Sequence, residues 1–116
     1  MSGTVTRPMI PPEIEAKREE IVALCRRFDV RQLDLFGSST IGRFVPETSD
    51  YDFIVDLGPY APGISTRYFE LEDALAALLG RTVDLSGEPS GRNRFYDASV
   101  RESRVTFYEA RDGQAA

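Results

Sequence analysis

Two short stretches decide the fold: Leu35–Ser38, which reads Leu-Phe-Gly-Ser, and Ser49–Val55, which reads Ser-Asp-Tyr-Asp-Phe-Ile-Val. The first is a small-residue turn at the end of an apolar run. The second opens the next apolar run with two carboxylates, Asp50 and Asp52. Glycine lets a backbone approach a phosphate closely, and carboxylates bind the divalent cation that accompanies it. The two stretches therefore indicate a site for a metal-bound phosphate.

Length and composition limit the alternatives. The chain has 116 residues, of which 41% are hydrophobic and 28% charged, as is ordinary for one globular domain with a modest core. No apolar run approaches the roughly 18 residues of a membrane span, and the N-terminus lacks a signal peptide's apolar core. We therefore expect no membrane association and a cytoplasmic location. Cys25 is the single cysteine and histidine is absent, which excludes an internal disulfide and Cys/His zinc sites.

The charge pattern argues against general nucleic-acid binding. The formal net charge is −5, whereas affinity for a nucleic-acid backbone comes mostly from Lys and Arg that displace counterions. Lys17 is the single lysine, and it stands in no glycine-rich context. A Walker-type phosphate loop, with its Gly-Lys-Ser/Thr, is therefore absent.

Helical and strand patterns alternate along the chain. They predict helices over 13–28, 65–79 and 95–110, strands over 30–36, 51–57 and 82–85, a short helix or turn over 38–43, and a loop over 45–48. We expect a flexible tail over 1–11, a single domain over 12–110 and a second tail over 111–116. The fold class is α/β or α+β, with a small mixed sheet of three to four strands flanked by helices.

The acidic residues can be placed on this pattern. Side chains alternate faces along a strand, so Asp50 and Asp52 project to the same side. Asp84 is a lone acid between apolar neighbours on the third predicted strand. If that strand lies beside the second, three carboxylates converge and can hold two metal ions about 3.5–4 Å apart, as in nucleotidyl transfer. With Gly37 and Ser38 to receive phosphate, the incoming group is expected to be a nucleoside triphosphate.

The same residues resemble the DNA polymerase beta-like nucleotidyltransferase superfamily, whose signature is Gly-Ser, a spacer of about nine to thirteen residues, and Asp-x-Asp or Asp-x-Glu. The short chain is similar to the minimal nucleotidyltransferase branch. That branch shows the Leu-Phe-Gly-Ser of 35–38, the Ser-Asp-x-Asp of 49–52, the Val-Asp-Leu of 83–85 and a tyrosine on a terminal helix, here Tyr108. The resemblance covers roughly 13–110, nearly the whole chain.

The resemblance implies a specific activity. Minimal nucleotidyltransferases commonly act as antitoxins beside an all-helical ribonuclease toxin of the HEPN type, and some transfer AMP from ATP to a tyrosine of that partner. By this resemblance, Asp50 and Asp52 would bind two Mg²⁺ ions. Asp84 would bind the catalytic metal and help deprotonate the acceptor hydroxyl, while Gly37 and Ser38 would hold the triphosphate of ATP.

One segment departs from the pattern. Many relatives continue Gly-Ser with Arg-Ala-Arg-Gly, whereas this chain reads Ser-Thr-Ile-Gly-Arg over Ser39–Arg43, so two arginines that could contact phosphate are missing. The spacer before the acids is also about one residue longer than in the commonest form. We expect Ser39 and Arg43 to join Gly37 and Ser38 in binding the nucleotide, with Arg43 compensating for the missing arginines.

Other polar residues have a simpler interpretation. Asp34 and Asp56 are expected to be exposed strand acids rather than further metal ligands. Arg101 and Arg104 are expected on a solvated helix face. Cys25 lies on the apolar stripe of the first helix and is interpreted as a small core residue.

Three functions remain open. The first is an enzyme that transfers AMP to a hydroxyl, expected on a tyrosine, of a HEPN-type toxin. The second is a binding module that neutralises such a toxin by contact, as the missing arginines and small size would allow. The third is nucleotidyl transfer to a small molecule, which is less favoured because a second domain that could form a deep acceptor pocket does not fit. The acceptor, the base preference and the oligomeric state, homo- or hetero-oligomeric, are left open.

Overall fold

The computed structural model describes residues 7–43, 50–88, 91 and 93–110. Its helices and strands are, in chain order, α1 (Pro12–Ala16), α2 (Arg18–Arg27), β1 (Gln32–Phe36), β2 (Tyr51–Asp56), α3 (Ile64–Leu79), β3 (Val83–Ser86), α4 (Arg94–Ser103) and β4 (Val105–Glu109). A 3-10 turn, Ser38–Thr40, follows β1. The loop predicted over 45–48, the C-terminal tail and residues 1–6 lie outside the described ranges. Within those ranges, the helices are too short or too polar to cross a membrane.

The strands form one mixed sheet in the order β3-β2-β1-β4. β1 is antiparallel to β2 and to β4, and β2 is parallel to β3. Two parallel strands need a crossover connection between them, and α3 provides it. The expected α/β class with a mixed sheet of three to four strands is confirmed.

The predicted first helix is interrupted but buries the expected face. Lys17, with φ −109° and ψ 20°, leaves the helical region and separates α1 from α2. Ile14 of α1 and Ile21 and Cys25 of α2 are all fully buried. Burial raises the pKa of the Cys25 thiol to about 12, so Cys25 is a core residue and not a reactive thiol, as expected. Before α1, the backbone N–H of Met9 donates to the carbonyl of Thr40, 2.9 Å away.

The helix α3 has the predicted boundaries and stripe. Leu71, Leu75 and Leu79 are buried, whereas Leu78 is half-buried. The helix ends at Gly80, whose left-handed φ of 68° lets its N–H donate back to the carbonyl of Ala76, 2.8 Å away. A glycine at this position is a common helix stop.

The prediction of one terminal helix over 95–110 is wrong in its second half. The helix α4 ends at Ser103, and Arg104 already has extended backbone angles, φ −72° and ψ 134°. The following segment, Val105–Glu109, is β4, so Tyr108 lies on a strand and not on a terminal helix. Its β-branched and aromatic residues fit a strand, and pairing with the otherwise open edge of β1 decides the matter.

The two faces of the sheet have different cover. One face buries a large cluster that includes Leu33, Leu35, Phe53 and Val55 against the first three helices. The opposite face carries a smaller cluster, in which Val100 of α4 packs on residues of β1 and β2. The rest of that second face is free to carry charged groups.

Candidate active site

The sheet register brings two of the predicted acids side by side. Asp52 of β2 is the register partner of Asp84 of β3, and neighbouring strands lie about 4.8 Å apart. Asp50 immediately precedes β2 and has the same strand parity as Asp52. Asp52 is half-buried, whereas Asp50 and Asp84 are exposed. The third strand therefore lies beside the second, which is the condition on which the convergence of the acids depended.

The three acids share one electrostatic environment. The pKa of Asp52 is raised to about 6 from its ordinary value of 3.8, first by burial, then by the charge of Asp84 and then by that of Asp50. Charges that repel in this way are relieved when a divalent cation binds between them, and carboxylate oxygens are ligands that Mg²⁺ prefers. The carboxylate oxygens and the negative charge that they concentrate therefore fit a magnesium ion. Across residues 7–43, 50–88, 91 and 93–110, however, no three acidic, His or Cys side chains form a ready-made metal cluster, so these side chains would turn to share an ion.

Gly37 lies against these acids and has a conformation that essentially only glycine adopts, with φ 85° and ψ −159°. A Cβ atom at this position would stand 2.5 Å from Oδ2 of Asp52, closer than any real contact. A glycine is therefore required both by the backbone and by the neighbouring carboxylate. Gly37 brings the Gly37–Thr40 turn, here called the phosphate turn because phosphate is its expected ligand, into contact with Asp52.

The turn after Gly37 carries the other residues expected to bind the nucleotide. Ser38 and Ser39 are its first two residues, and the backbone N–H of Arg43 donates to the carbonyl of Ser38, 3.0 Å away. Ser39 Oγ is buried and has no hydrogen-bond partner among the described residues. A buried hydroxyl of this kind is costly unless a ligand or water completes its bonding, which fits a phosphate oxygen. Arg43 is exposed at the end of the turn.

The segment predicted as a short helix or turn over 38–43 begins with a 3-10 turn, in agreement with the prediction. The segment Ser38–Thr40 is a single 3-10 turn and not an α-helix. Three residues align too few peptide dipoles for a substantial positive end. Individual N–H groups and hydroxyls, and not a helix dipole, are what this turn offers to an anion.

Two residues that tie the turn to α4 were not predicted. The backbone N–H of Gly37 donates to Ser103 Oγ, 2.8 Å away, and Thr40 Oγ1 donates to the carbonyl of Ser103, 2.6 Å away. Both Ser103 and Thr40 are buried. The sequence signal was the presence of a hydroxyl residue on the otherwise apolar side of the last predicted helix, since buried hydroxyls are almost always hydrogen-bonded.

A second contact fixes the residue between Asp50 and Asp52. The side chain of Tyr51 is buried on the core face, and its hydroxyl donates to Glu13 of α1. The guanidinium of Arg81 lies 5.7 Å from the centre of the Tyr51 ring. The pKa of Tyr51 is raised by burial and by the neighbouring Glu13, so its hydroxyl stays protonated and keeps this bond. The start of β2 is thereby held to the N-terminal helices.

The expectation that Asp34 is an exposed strand acid is wrong. Asp34 is 1% exposed, and it accepts hydrogen bonds from Arg104 and from Gln32. Arg104 also binds the carboxylate of Glu88 with both of its terminal nitrogens. Arg104 is therefore not on a solvated helix face, because α4 has already ended one residue earlier. Asp56, in contrast, is exposed as expected, and its Oδ1 accepts a hydrogen bond from the N–H of Gly58, 2.8 Å away.

Comparison with known proteins identifies the class. The family described as "Nucleotidyltransferase domain" matches residues 18–111, which is most of the chain. The chain therefore belongs to the nucleotidyltransferase domain family, and the expected enzyme class is confirmed. It is similar to the protein adenylyltransferase MntA of Thermococcus cleftensis, with 38% identity over 79 residues, which cover 68% of this chain and 77% of the relative.

Solved structures support the fold. A toxin–antitoxin structure with AMP-PNP contains a chain that superposes with a TM-score of 0.61 at 23% identity, covering 84% of this chain and 77% of that one. A structure of a tri-AMPylated HEPN toxin from Shewanella oneidensis in complex with MNT antitoxin contains a chain that superposes with a TM-score of 0.56 at 21% identity, covering 87% of this chain and 76% of that one. At this level of identity the likeness concerns the fold alone, and it agrees with the expected minimal nucleotidyltransferase architecture.

Proposed function

We propose that this protein transfers AMP from ATP to a hydroxyl of a HEPN-type toxin, most simply a tyrosine, and acts as its antitoxin. The observation that carries this proposal is the register pair of Asp52 and Asp84, in which Asp52 lies against Gly37. The named activity of the Thermococcus relative supports protein adenylylation. A toxin complex with AMP-PNP and an AMPylated HEPN toxin among the structural neighbours support the nucleotide and the partner.

The proposed roles divide the site between metal and phosphate. Asp50, Asp52 and Asp84 would hold two Mg²⁺ ions, which when bound supply positive charge for the phosphates and the acceptor oxygen. Ser38 and Ser39 would bind phosphate oxygens through their hydroxyl and backbone N–H groups, and exposed Arg43 would add a cation at the rim. Gly37, which has no side chain, would leave room for the phosphate to approach the acids.

The chemistry is a displacement at phosphorus. The acceptor oxygen forms a bond to the α-phosphorus of ATP, the bond to the β-phosphate bridging oxygen breaks, and pyrophosphate leaves. The acceptor hydroxyl loses one proton in this step. Asp84, which is exposed, is the proposed proton acceptor, as the resemblance to the minimal nucleotidyltransferases implies.

A labelling experiment tests this function. The purified chain, its HEPN-type partner and Mg²⁺ would be incubated with ATP labelled either at the α- or at the γ-phosphate. We expect label on the partner from α-labelled ATP alone, because AMP retains only that phosphate. Asp50→Asn and Asp84→Asn should each reduce labelling about a thousandfold, since each removes a charged metal ligand. Asp56→Asn is the matched control, because Asp56 is an exposed aspartate of β2 to which the proposal assigns no role.

A binding module that neutralises the toxin by contact is the second candidate. It is favoured by one observation, the absence of arginines at 39–41, where relatives offer cations to phosphate. It predicts that the Asp50→Asn and Asp84→Asn variants neutralise the toxin as well as the wild type, without ATP and without any label. That result would reject adenylyl transfer and leave the antitoxin role intact.

A further inference from the structure

The residue Ser103 connects the last turn of α4 to the phosphate turn. Its hydroxyl accepts a hydrogen bond from the backbone N–H of Gly37, at 2.8 Å, and donates its own hydrogen to the carbonyl of Ser99, at 2.7 Å. A serine hydroxyl has only one hydrogen, so the bond to Ser99 turns the oxygen's lone pairs toward Gly37. Ser103 is 3% exposed, so water cannot readily replace it as the partner of Gly37.

The same residue also holds the far end of the turn. Thr40 Oγ1 donates to the carbonyl of Ser103, at 2.6 Å, and lies 3.1 Å from the carbonyl of Gly37. The carbonyl of Ser103 is at the end of a helix, where backbone oxygens lack intrahelical donors. Thr40 satisfies it and is itself 3% exposed. Both ends of the Gly37–Thr40 turn are therefore bound to one residue that is more than sixty positions away in the chain.

These contacts decide which groups of the turn face a ligand. The N–H of Gly37 is committed to Ser103 and is not available to a phosphate. The hydroxyl of Thr40 is likewise committed, whereas Ser39 Oγ is buried without a partner among the described residues. The turn is thus oriented so that its internal groups bond to α4 while Ser39 is left to bind something else.

The orientation of Gly37 also affects the acids. Its Cα lies so close to Asp52 that a Cβ would overlap Oδ2 of that carboxylate. Glycine has more backbone freedom than any other residue, so the φ of 85° and ψ of −159° need outside contacts to persist. If the bond from Ser103 is removed, the turn can rotate at Gly37 and move relative to Asp52.

We propose that Ser103 is a positioning residue for nucleotide transfer, which acts by holding Gly37 and, with Thr40, the phosphate turn. This inference rests on the proposed function, because it concerns how the same site binds the triphosphate. Ser103 itself contacts neither substrate nor metal. Its effect reaches the reaction through the turn.

The test compares two serines of the same helix. Ser103→Ala removes the acceptor of the Gly37 N–H, whereas Ser99→Ala removes an exposed hydroxyl and retains the backbone carbonyl that Ser103 uses. Both variants are measured at a temperature well below their unfolding. Ser103→Ala should raise the KM for Mg-ATP about tenfold and lower kcat by less. The reason is that the loss of a buried hydrogen bond costs a free energy equivalent to about a tenfold change in an equilibrium constant. Ser99→Ala should match the wild type. Hydrogen exchange of the Gly37 amide should accelerate in Ser103→Ala alone.

A second pair of variants at Thr40 tests the same role even if Ser103→Ala does not fold. Thr40→Val keeps the shape but removes the hydroxyl, whereas Thr40→Ser retains it. We expect a raised KM in Thr40→Val and recovery in Thr40→Ser. A purely structural role would lower the unfolding temperature in Thr40→Val without a change in KM.

The possible results separate the two proposals. If the wild type transfers AMP and Ser103→Ala does so with the same KM and kcat, the positioning role is rejected and the proposed function stands. If the wild type itself neither binds nor transfers the nucleotide, the proposed function fails and this inference fails with it. A raised KM in both Ser103→Ala and Thr40→Val, with Ser99→Ala and Thr40→Ser normal, supports the inference.

Discussion

The two faces of β2 are built from alternate residues of one strand and have different environments: one packs in the core and the other carries charge. Phe53 and Val55 point into the core and are 0% and 1% exposed. Asp52 points to the other face, where burial and two neighbouring charges raise its pKa to about 6. Burial of Phe53 therefore stabilises the fold, whereas burial of the charge of its neighbour Asp52 costs stability, because a strand turns successive side chains to opposite sides.

On β2, the residues that stabilise the core and the acid of the candidate site lie on opposite faces of the strand, although they are neighbours in sequence. The core face supplies apolar burial that holds the strand in place. The second face uses that rigid strand to keep like charges close together, which costs stability. Removing an apolar side chain of the core face should therefore destabilise the fold, whereas removing the charge of Asp52 should not.

The largest expected effect is on the core face. Phe53→Ala removes a fully buried ring from the middle of the main cluster, and should lower the free energy of unfolding by about 4 kcal/mol. Urea unfolding followed by circular dichroism measures this. The exposed Phe69 of α3 is a matched control, and Phe69→Ala should cost well under 1 kcal/mol. Equal costs for the two would contradict the assignment of the core.

The next effect concerns the buried charge on the second face. Arg104→Leu removes the cation that pairs with Asp34, and should destabilise the protein by about 2 to 3 kcal/mol, because the carboxylate then stays buried with Gln32 as its one remaining side-chain partner among the described residues. Thermal unfolding measures the loss. Arg101→Leu, an exposed arginine of α4, should be near neutral. A stable Arg104→Leu protein would mean that the pair adds nothing.

A smaller effect is expected where the turn meets the acids. Gly37→Ala should cost about 2 kcal/mol, because alanine both strains a positive φ and pushes Oδ2 of Asp52 away. Gly63→Ala isolates the first contribution, since Gly63 has φ 87° and a Cβ atom there would have no neighbour within 4 Å. The difference between the two variants in unfolding free energy measures the clash. Only Gly37→Ala should also weaken Mg-ATP binding in isothermal titration.

The smallest effect has the opposite sign and depends on pH. Because the pKa of Asp52 is raised, the folded protein holds this proton more tightly than the unfolded chain, so stability falls as pH rises from about 4 to about 6. A shift of about two units corresponds to about 3 kcal/mol, and partial exposure reduces it to about 1 kcal/mol. Asp52→Asn should therefore stabilise the metal-free protein by about 1 kcal/mol near pH 8.

Two further measurements sharpen this last comparison. Near pH 3.5 the gain from Asp52→Asn should be largely lost, because the wild-type carboxyl is then protonated in the folded state and mostly protonated in the unfolded state. Asp56→Asn, on the same strand, serves as the control at both pH values. A gain from Asp52→Asn that is the same at both pH values would show that charge repulsion is not its cause.

Much of the fold could be predicted from local patterns. The apolar stripes of 13–28 and 65–79 and the alternation of 51–57 gave the correct elements, because each depends on residues close in sequence. The terminal segment 104–109 could not be assigned in this way. The spacing of its apolar residues is typical of a helix, whereas its β-branched and aromatic residues favour a strand. Pairing with the open edge of β1 stabilises the strand.

The candidate site divides in the same manner. Gly37 and the Asp50–Asp52 pair are recognisable from spacing, and their metal- and nucleotide-binding roles stay predictions. The contacts of Ser103 and the burial of Asp34 were not predictable, because their partners lie more than sixty residues away. Such contacts depend on how α4 crosses the second face.

By itself, the sequence determined which side chains are candidates to bind a metal-bound phosphate, because residue type and alternation are local properties. Only the tertiary structure decided that Asp84 stands beside Asp52, since a parallel register is set by the crossover through α3. It likewise decided that Ser103 holds Gly37. The physical reason is that hydrogen bonds and charge repulsion act over a few ångströms of space, which the chain reaches only after it folds.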